Sequence, residues 1–86
     1  LEFRRVLFRS KAEIIKTASG ILDQIRKEKG CVSYNYYEDV EDPDKLLLVE
    51  EWESEEDQQK HLQMPHMEML KQIKEKYVFD TVVTKR

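Results

Sequence analysis

The chain has 86 residues, of which 40% are hydrophobic and 38% charged, with two glycines, two prolines, one cysteine and a net charge of −3. That balance describes one small folded domain and excludes a linker or a disordered tail. No basic stripe lies beyond the first ten residues, which argues against nucleic acid as a partner, and no apolar run is long enough to span a membrane.

A chain of this size buries only roughly 60–65% of its unfolded surface, so pairing with a second copy is an expected remedy for a small core. The single cysteine, Cys31, cannot form an internal disulfide and suits a reducing cytoplasm.

The opening decapeptide, LEFRRVLFRS, is arginine-rich beside an otherwise acidic chain. Its apolar residues Leu1, Phe3, Val6, Leu7 and Phe8 do not alternate cleanly as a strand. The codons CTG GAG TTC AGA CGT GTG CTC TTC CGA TCT encode it without a gap, and that DNA resembles a common short-read sequencing adapter. The expectation is that residues 1–10 are adapter-derived and non-native, and that residues 11–86 form a domain lacking its native first strand.

From Lys11 the pattern is helical, with Ile14, Ala18, Ile21 and Ile25 at helical spacing. Gly20 weakens the middle. Lys27, Lys29 and Gly30 form a stop signal, with cations in the last turn and glycine just beyond. The β-branched and aromatic run CVSYNYYED predicts a strand over 31–39. Alternation puts Tyr34 and Tyr36 on one face with Val32, and Asn35 and Tyr37 on the other with Cys31. Asp42, Pro43 and Asp44 make a turn, and LLLVEEW returns as the second strand of a hairpin. Leu46, Leu48, Glu50 and Trp52 share one face of it.

Ser54 is a helix cap followed by acids at 55, 56 and 57. Pro65 interrupts that helix and opens a second piece whose apolar edge is Met67, Leu70 and Ile73. YVFDTVVTK closes as a strand. The order α, β, β, α, β needs one leading strand to become βαββαβ, an α+β, ferredoxin-like arrangement whose second sheet face requires cover.

Four segments in order, EKGCVSY, EDPDK, VEEWES and HLQMPHM, span most of residues 28–70. Together they resemble the antibiotic biosynthesis monooxygenase family, in its quinol monooxygenase branch. The resemblance implies a homodimeric α/β barrel built from two ferredoxin-like sheets, with a pocket between sheet and helices in each subunit. It implies a cofactor-independent monooxygenase that uses O2 on a hydroquinone or polyphenolic aromatic small molecule.

Read on their own terms, the candidate residues allow more than one role. His61 and His66 are five apart, off one ideal helical face, but Pro65 lets both lean into one cleft. Solvent-facing or capping histidines are the alternative, and the resemblance favours a pocket. Two histidines with no third ligand at helical spacing, and Cys31 on another element, make a poor metal site, and the resemblance implies an enzyme that needs no cofactor. Trp52 is either core or a pocket wall, and Glu50 on its face is a buried acid needing a partner, for which a histidine is the obvious choice. The catalytic set is therefore His61 or His66 as base, oriented by Glu50, with Trp52, Tyr34, Tyr36 and Asn35 as substrate-binding candidates.

Three other functions fit the fold: a non-enzymatic dimeric small-molecule-binding module, an isomerase, and a haem-degrading relative. The haem branch matches less well, because His61 stands where its second-helix Trp belongs and Lys71 where its His belongs.

Overall fold

The computed structural model of the chain describes residues 1–85. Four strands, β1 (Glu2–Phe8), β2 (Cys31–Glu38), β3 (Leu46–Trp52) and β4 (Val78–Lys85), form one antiparallel sheet in the order β2-β3-β1-β4 among the described residues. Helices α1 (Lys11–Ala18), α2 (Leu22–Arg26), α3 (Glu55–Leu62) and α4 (Glu68–Tyr77) supply the connections. The arrangement is the expected α+β, ferredoxin-like βαββαβ fold, and residues 2–8 occupy its first strand.

The first helix is not continuous. Ser19, Gly20 and Ile21 break it into α1 and α2, with Ile21 leaving helical geometry at φ −126° and ψ 0°. Gly20 is exposed with no atom near its Cβ position, so no packing opposes the entropy that glycine brings. The register of apolar residues survives the break, because Ile14, Ala18 and Ile25 are all buried. Ile21 donates its N–H to Ala18 and Ile25 donates to Ile21, which carries the turn across.

Ser54 caps α3 as expected, its hydroxyl accepting from the Asp57 amide at 3.1 Å. Met64, before the proline, is extended, and Pro65–Met67 forms a 3₁₀ turn that leads into α4. α4 passes directly into β4 at Val78.

The core lies between the helices and one face of the sheet. The β3 residues Leu46, Leu48, Glu50 and Trp52 all point into it, as alternation predicts, with Val6 and Phe8 beside them on β1. On β2 a bulge between Cys31 and Ser33 alters the expected pattern. Cys31 pairs with Trp52 and packs against the core, whereas strict alternation puts it with Ser33 and Asn35. The opposite sheet face carries Phe3, Leu7, Leu47 and Val49, which are half-buried, and Tyr37 and Val82, which are exposed.

Candidate functional site

The site is built where the end of α2 meets the end of α3. Glu28 follows α2 and is held by two backbone bonds, its N–H to Ile25 and its carbonyl to the Cys31 amide. Gly30 then turns at φ 84°, a left-handed conformation that glycine adopts without penalty. A side chain at Gly30 would also overlap Asp57 in the first turn of α3, so the glycine lets α3 pack close to this turn. The Glu28 carboxylate is thereby aimed under α3.

His61 lies in the last turn of α3, and its Nδ1 is 3.1 and 3.0 Å from the two Glu28 oxygens. His66, in the 3₁₀ turn after the Pro65 break, places Nε2 2.8 Å from Glu28 Oε2. An ionised carboxylate can only accept, so each histidine donates from the nitrogen that faces it. His61 therefore carries its proton on Nδ1, and its lone pair is on Nε2. The His61 and Glu28 side chains are 1% and 5% exposed, and His66 is 19% exposed. Burial pushes the His61 pKa below its ordinary value, and the Glu28 carboxylate opposes that only in part, so the imidazole is neutral near pH 7.

Aromatic rings fix the imidazole from behind. Trp52 lies 4.7 Å from it, centre to centre, tilted by 35°, and Tyr34 meets it edge-on at 5.5 Å. The Trp52 Nε1–H donates to Glu50 Oε1 at 2.9 Å. In front of the imidazole, an open cleft of about 170 Å³ is lined by His61, Glu50, Gln58, Leu48, Met67 and Lys74, with Val6, Phe8 and Arg4 from β1 among the other walls. Lys74 on α4 donates to the Tyr34 hydroxyl and lies 4.9 Å from the Tyr34 ring centre. Burial lowers its pKa to about 8, with the Glu50 charge opposing the shift. Burial likewise pushes the Tyr34 and Tyr36 phenols up.

The structure brings the two predicted histidines together, but on an acid the sequence reading did not select. Glu50 lines the cleft and its hydrogen bond goes to the Trp52 indole; the expected histidine partner is replaced because Glu28 already fills that place. Trp52 and Tyr34 are fully buried behind His61 rather than forming the cleft surface. Tyr36 stacks edge-on against Tyr34 in that second layer. Asn35 lies apart from the cleft and accepts from Arg26 Nη2 at 3.3 Å.

Two residues were missed, Glu28 and Lys74. Glu28 stands in EKGCVSY, beside the helix-stop signal, where an acid reads as a solvated charge. Lys74 occupies a position four residues after Leu70, on the apolar edge of α4, and that misfit of type and place was the available signal. Among the described residues no group of three His, Cys, Asp or Glu side chains is placed to hold a metal ion, and no helix is long and apolar enough to cross a membrane.

The family model described as antibiotic biosynthesis monooxygenase matches residues 6–72. This chain belongs to the antibiotic biosynthesis monooxygenase family. A Synechocystis relative, uncharacterized protein sll1783, is 32% identical over 56 residues, which is 65% of this chain and 38% of that protein. The chain thus spans well under half the length of the curated relative it matches. Among solved structures, a Nitrosomonas europaea protein carrying the same family name superposes with a TM-score of 0.85 at 14% identity, over 100% of this chain and 98% of that one. A conserved protein from Methanosarcina mazei Go1 gives 0.79 at 22% identity, over 98% and 89%. At such identities these structures speak for the fold.

Proposed function

We propose that the protein is a cofactor-independent monooxygenase that uses O2 on a hydroquinone or polyphenolic small molecule, with His61 as the base. One observation carries this reading: a buried imidazole, tied through Nδ1 to Glu28, stands on the wall of a cleft; with Nδ1 donating to the carboxylate, Nε2 is the nitrogen left to accept a proton. Nε2 takes the proton of a phenol, and the imidazolium that forms is stabilised by the Glu28 carboxylate. An electron-rich phenolate passes an electron to dioxygen directly, so the chemistry asks for no flavin or metal. One oxygen atom then enters the ring and the other leaves as water, with all four electrons supplied by the hydroquinone itself, which departs as a hydroxyquinone. His66 holds Glu28 from its more exposed side and so positions the base. Trp52 and Tyr34 set the ring plane of His61.

We also propose that the protein is a homodimer in a cytoplasmic setting. The half-buried apolar residues Phe3, Leu7, Leu47 and Val49 lie on the sheet face away from the helices, where a second copy's sheet is the natural cover, and Cys31 is a free thiol. Residues 1–10 are proposed to stand in for a native first strand. Two features support that: Glu2 is buried with an Oε2 that has no hydrogen-bond partner among the described residues, and Ser10 adopts φ 55° without being glycine.

The test is oxygen consumption with a panel of hydroquinones. Turnover that falls at least about a hundredfold in His61→Ala is expected, from the usual contribution of a general base. Turnover indifferent to His61→Ala, or ligand binding without any oxygen uptake, overturns the reading and leaves a binding module.

A further inference from the structure

We propose that Lys74 is a binding residue for an ionised oxygen on the aromatic ligand, so that the cleft takes its ligand as an anion. This deepens the reading above, and rests on it only for the aromatic ring.

The argument is one of unmet charge. Lys74 lies on α4 and lines the cleft together with Glu50 and His61. Its ammonium lies among three aromatic side chains, 5.7 Å from the ring centre of Phe8, 5.3 Å from that of Tyr36, and 4.9 Å from that of Tyr34 at the hydroxyl end of the ring. Of its three N–H groups, one is donated to the Tyr34 hydroxyl. Among the described residues no carboxylate comes within ion-pair distance of the nitrogen, and Glu50, the acid whose field reaches it, is bonded to Trp52 instead.

A cation taken from water without a counter-ion is costly, and the rings of Phe8 and Tyr36 with one neutral hydroxyl offset only part of that. Such a group is retained at a cleft wall where something else brings the negative charge. The remaining two N–H groups suit an oxyanion, and charge-assisted hydrogen bonds of this kind are the strong ones. An aromatic phenolate and an aromatic carboxylate present the same chemistry to Lys74. For a phenol, the two cleft residues then divide the work: His61 removes the proton and Lys74 holds the charge left behind.

The experiment compares matched probes on the full chain near neutral pH by calorimetry and absorbance. 4-Nitrobenzoate carries the charge throughout and 4-nitrophenol in its ionised fraction, which absorbance reports; 4-nitroanisole and methyl 4-nitrobenzoate have the same rings without it. In the wild-type protein at least one anion is expected to bind about tenfold or more tightly than its neutral partner, a difference of about 1.4 kcal/mol. Lys74→Met is expected to abolish that preference while leaving the neutral probes unchanged, and Lys74→Arg to retain it. Lys76→Met, on an exposed position of the same helix, serves as the control with no effect.

Which anion is preferred tells phenolate from carboxylate. Equal binding of anions and neutral partners by the wild-type protein overturns the proposal, and this arm needs no variant to fold. So does a preference that persists unchanged in folded Lys74→Met. A protein that binds the anion through Lys74 yet consumes no oxygen with hydroquinones supports this proposal and overturns only the reaction.

Discussion

β1 and β3 are neighbours in the sheet, paired residue for residue from Glu2 and Trp52 to Phe8 and Leu46, yet they fit their surroundings differently. Every core-facing residue of β3 is served: Leu46 and Leu48 are buried in the core, Glu50 accepts from Trp52, and Trp52 stacks on His61. β1 fills its slot with Val6 and Phe8, but Glu2 enters the same core with one carboxylate oxygen unpartnered among the described residues, and its other oxygen is met by Arg4 from two residues along. Backbone pairing makes no demand on side-chain type, so a strand slot accepts an indifferent sequence. A site makes such demands at every atom. The difference separates what a fold tolerates from what a function requires.

That comparison can be broken by substitution. The largest effect is expected at Trp52→Ala, which removes a fully buried ring and leaves Glu50 without its donor. A loss of about 3–5 kcal/mol in denaturant unfolding is the expected outcome. Glu28→Ala strips two histidines of their shared acceptor and should cost about 2–3 kcal/mol. Glu28→Gln, which still accepts one hydrogen bond, should cost less, and the oxygen uptake of both variants should fall with the loss of imidazole alignment.

Glu2→Leu should move the other way, raising stability by about 1 kcal/mol by removing a buried oxygen with no partner. Glu50→Leu on β3 should instead lower it, because the Trp52 N–H loses its acceptor. If Glu2→Leu and Glu50→Leu shift the unfolding midpoint alike, the contrast between the two strands is void.

The smallest effect is with pH. The folded state holds the His61 pKa below the unfolded value of 6.5, so the unfolded chain binds a proton more readily. The contribution is fully present above pH 6.5 and is lost as pH falls through the lower folded value. Unfolding midpoints followed from pH 8 to 5, as a rough window around an ordinary histidine, should fall at the acid end, and less so in His61→Gln.

Most of the fold was legible because its signals are local. Alternation in LLLVEEW and the Ser54 cap each report on a few adjacent residues, and the structure bears them out; the stop read at Lys27, Lys29 and Gly30 lies past the end of α2, which closes at Arg26, and Gly30 makes the turn into β2 instead. The break at Gly20 was hidden by an apolar period that runs straight through it. The β2 bulge moved Cys31 to the other face, which no alternating pattern announces. At the site, periodicity assigned Glu50 and Trp52 to a common inward face but could not say which acid from a distant element would reach His61 first. Glu28 and His61 meet only through tertiary packing, whereas Asn35 pairs with Val49 on the sheet face away from the cleft, as alternation already placed it.

The clamp on Glu28 also ties distant parts of the chain together. Its two histidines stand 33 and 38 residues downstream, and the acid sits on the far side of the β2–β3 hairpin from both. No fragment ending before His61 can assemble it, and neither half of the chain holds the imidazole in its working tautomer alone. The site is therefore complete only where the last turn of α3 packs over the α2 terminus, a contact between segments far apart in the chain. Loosening that contact would separate His61 and His66 from their shared acceptor while leaving the sheet paired.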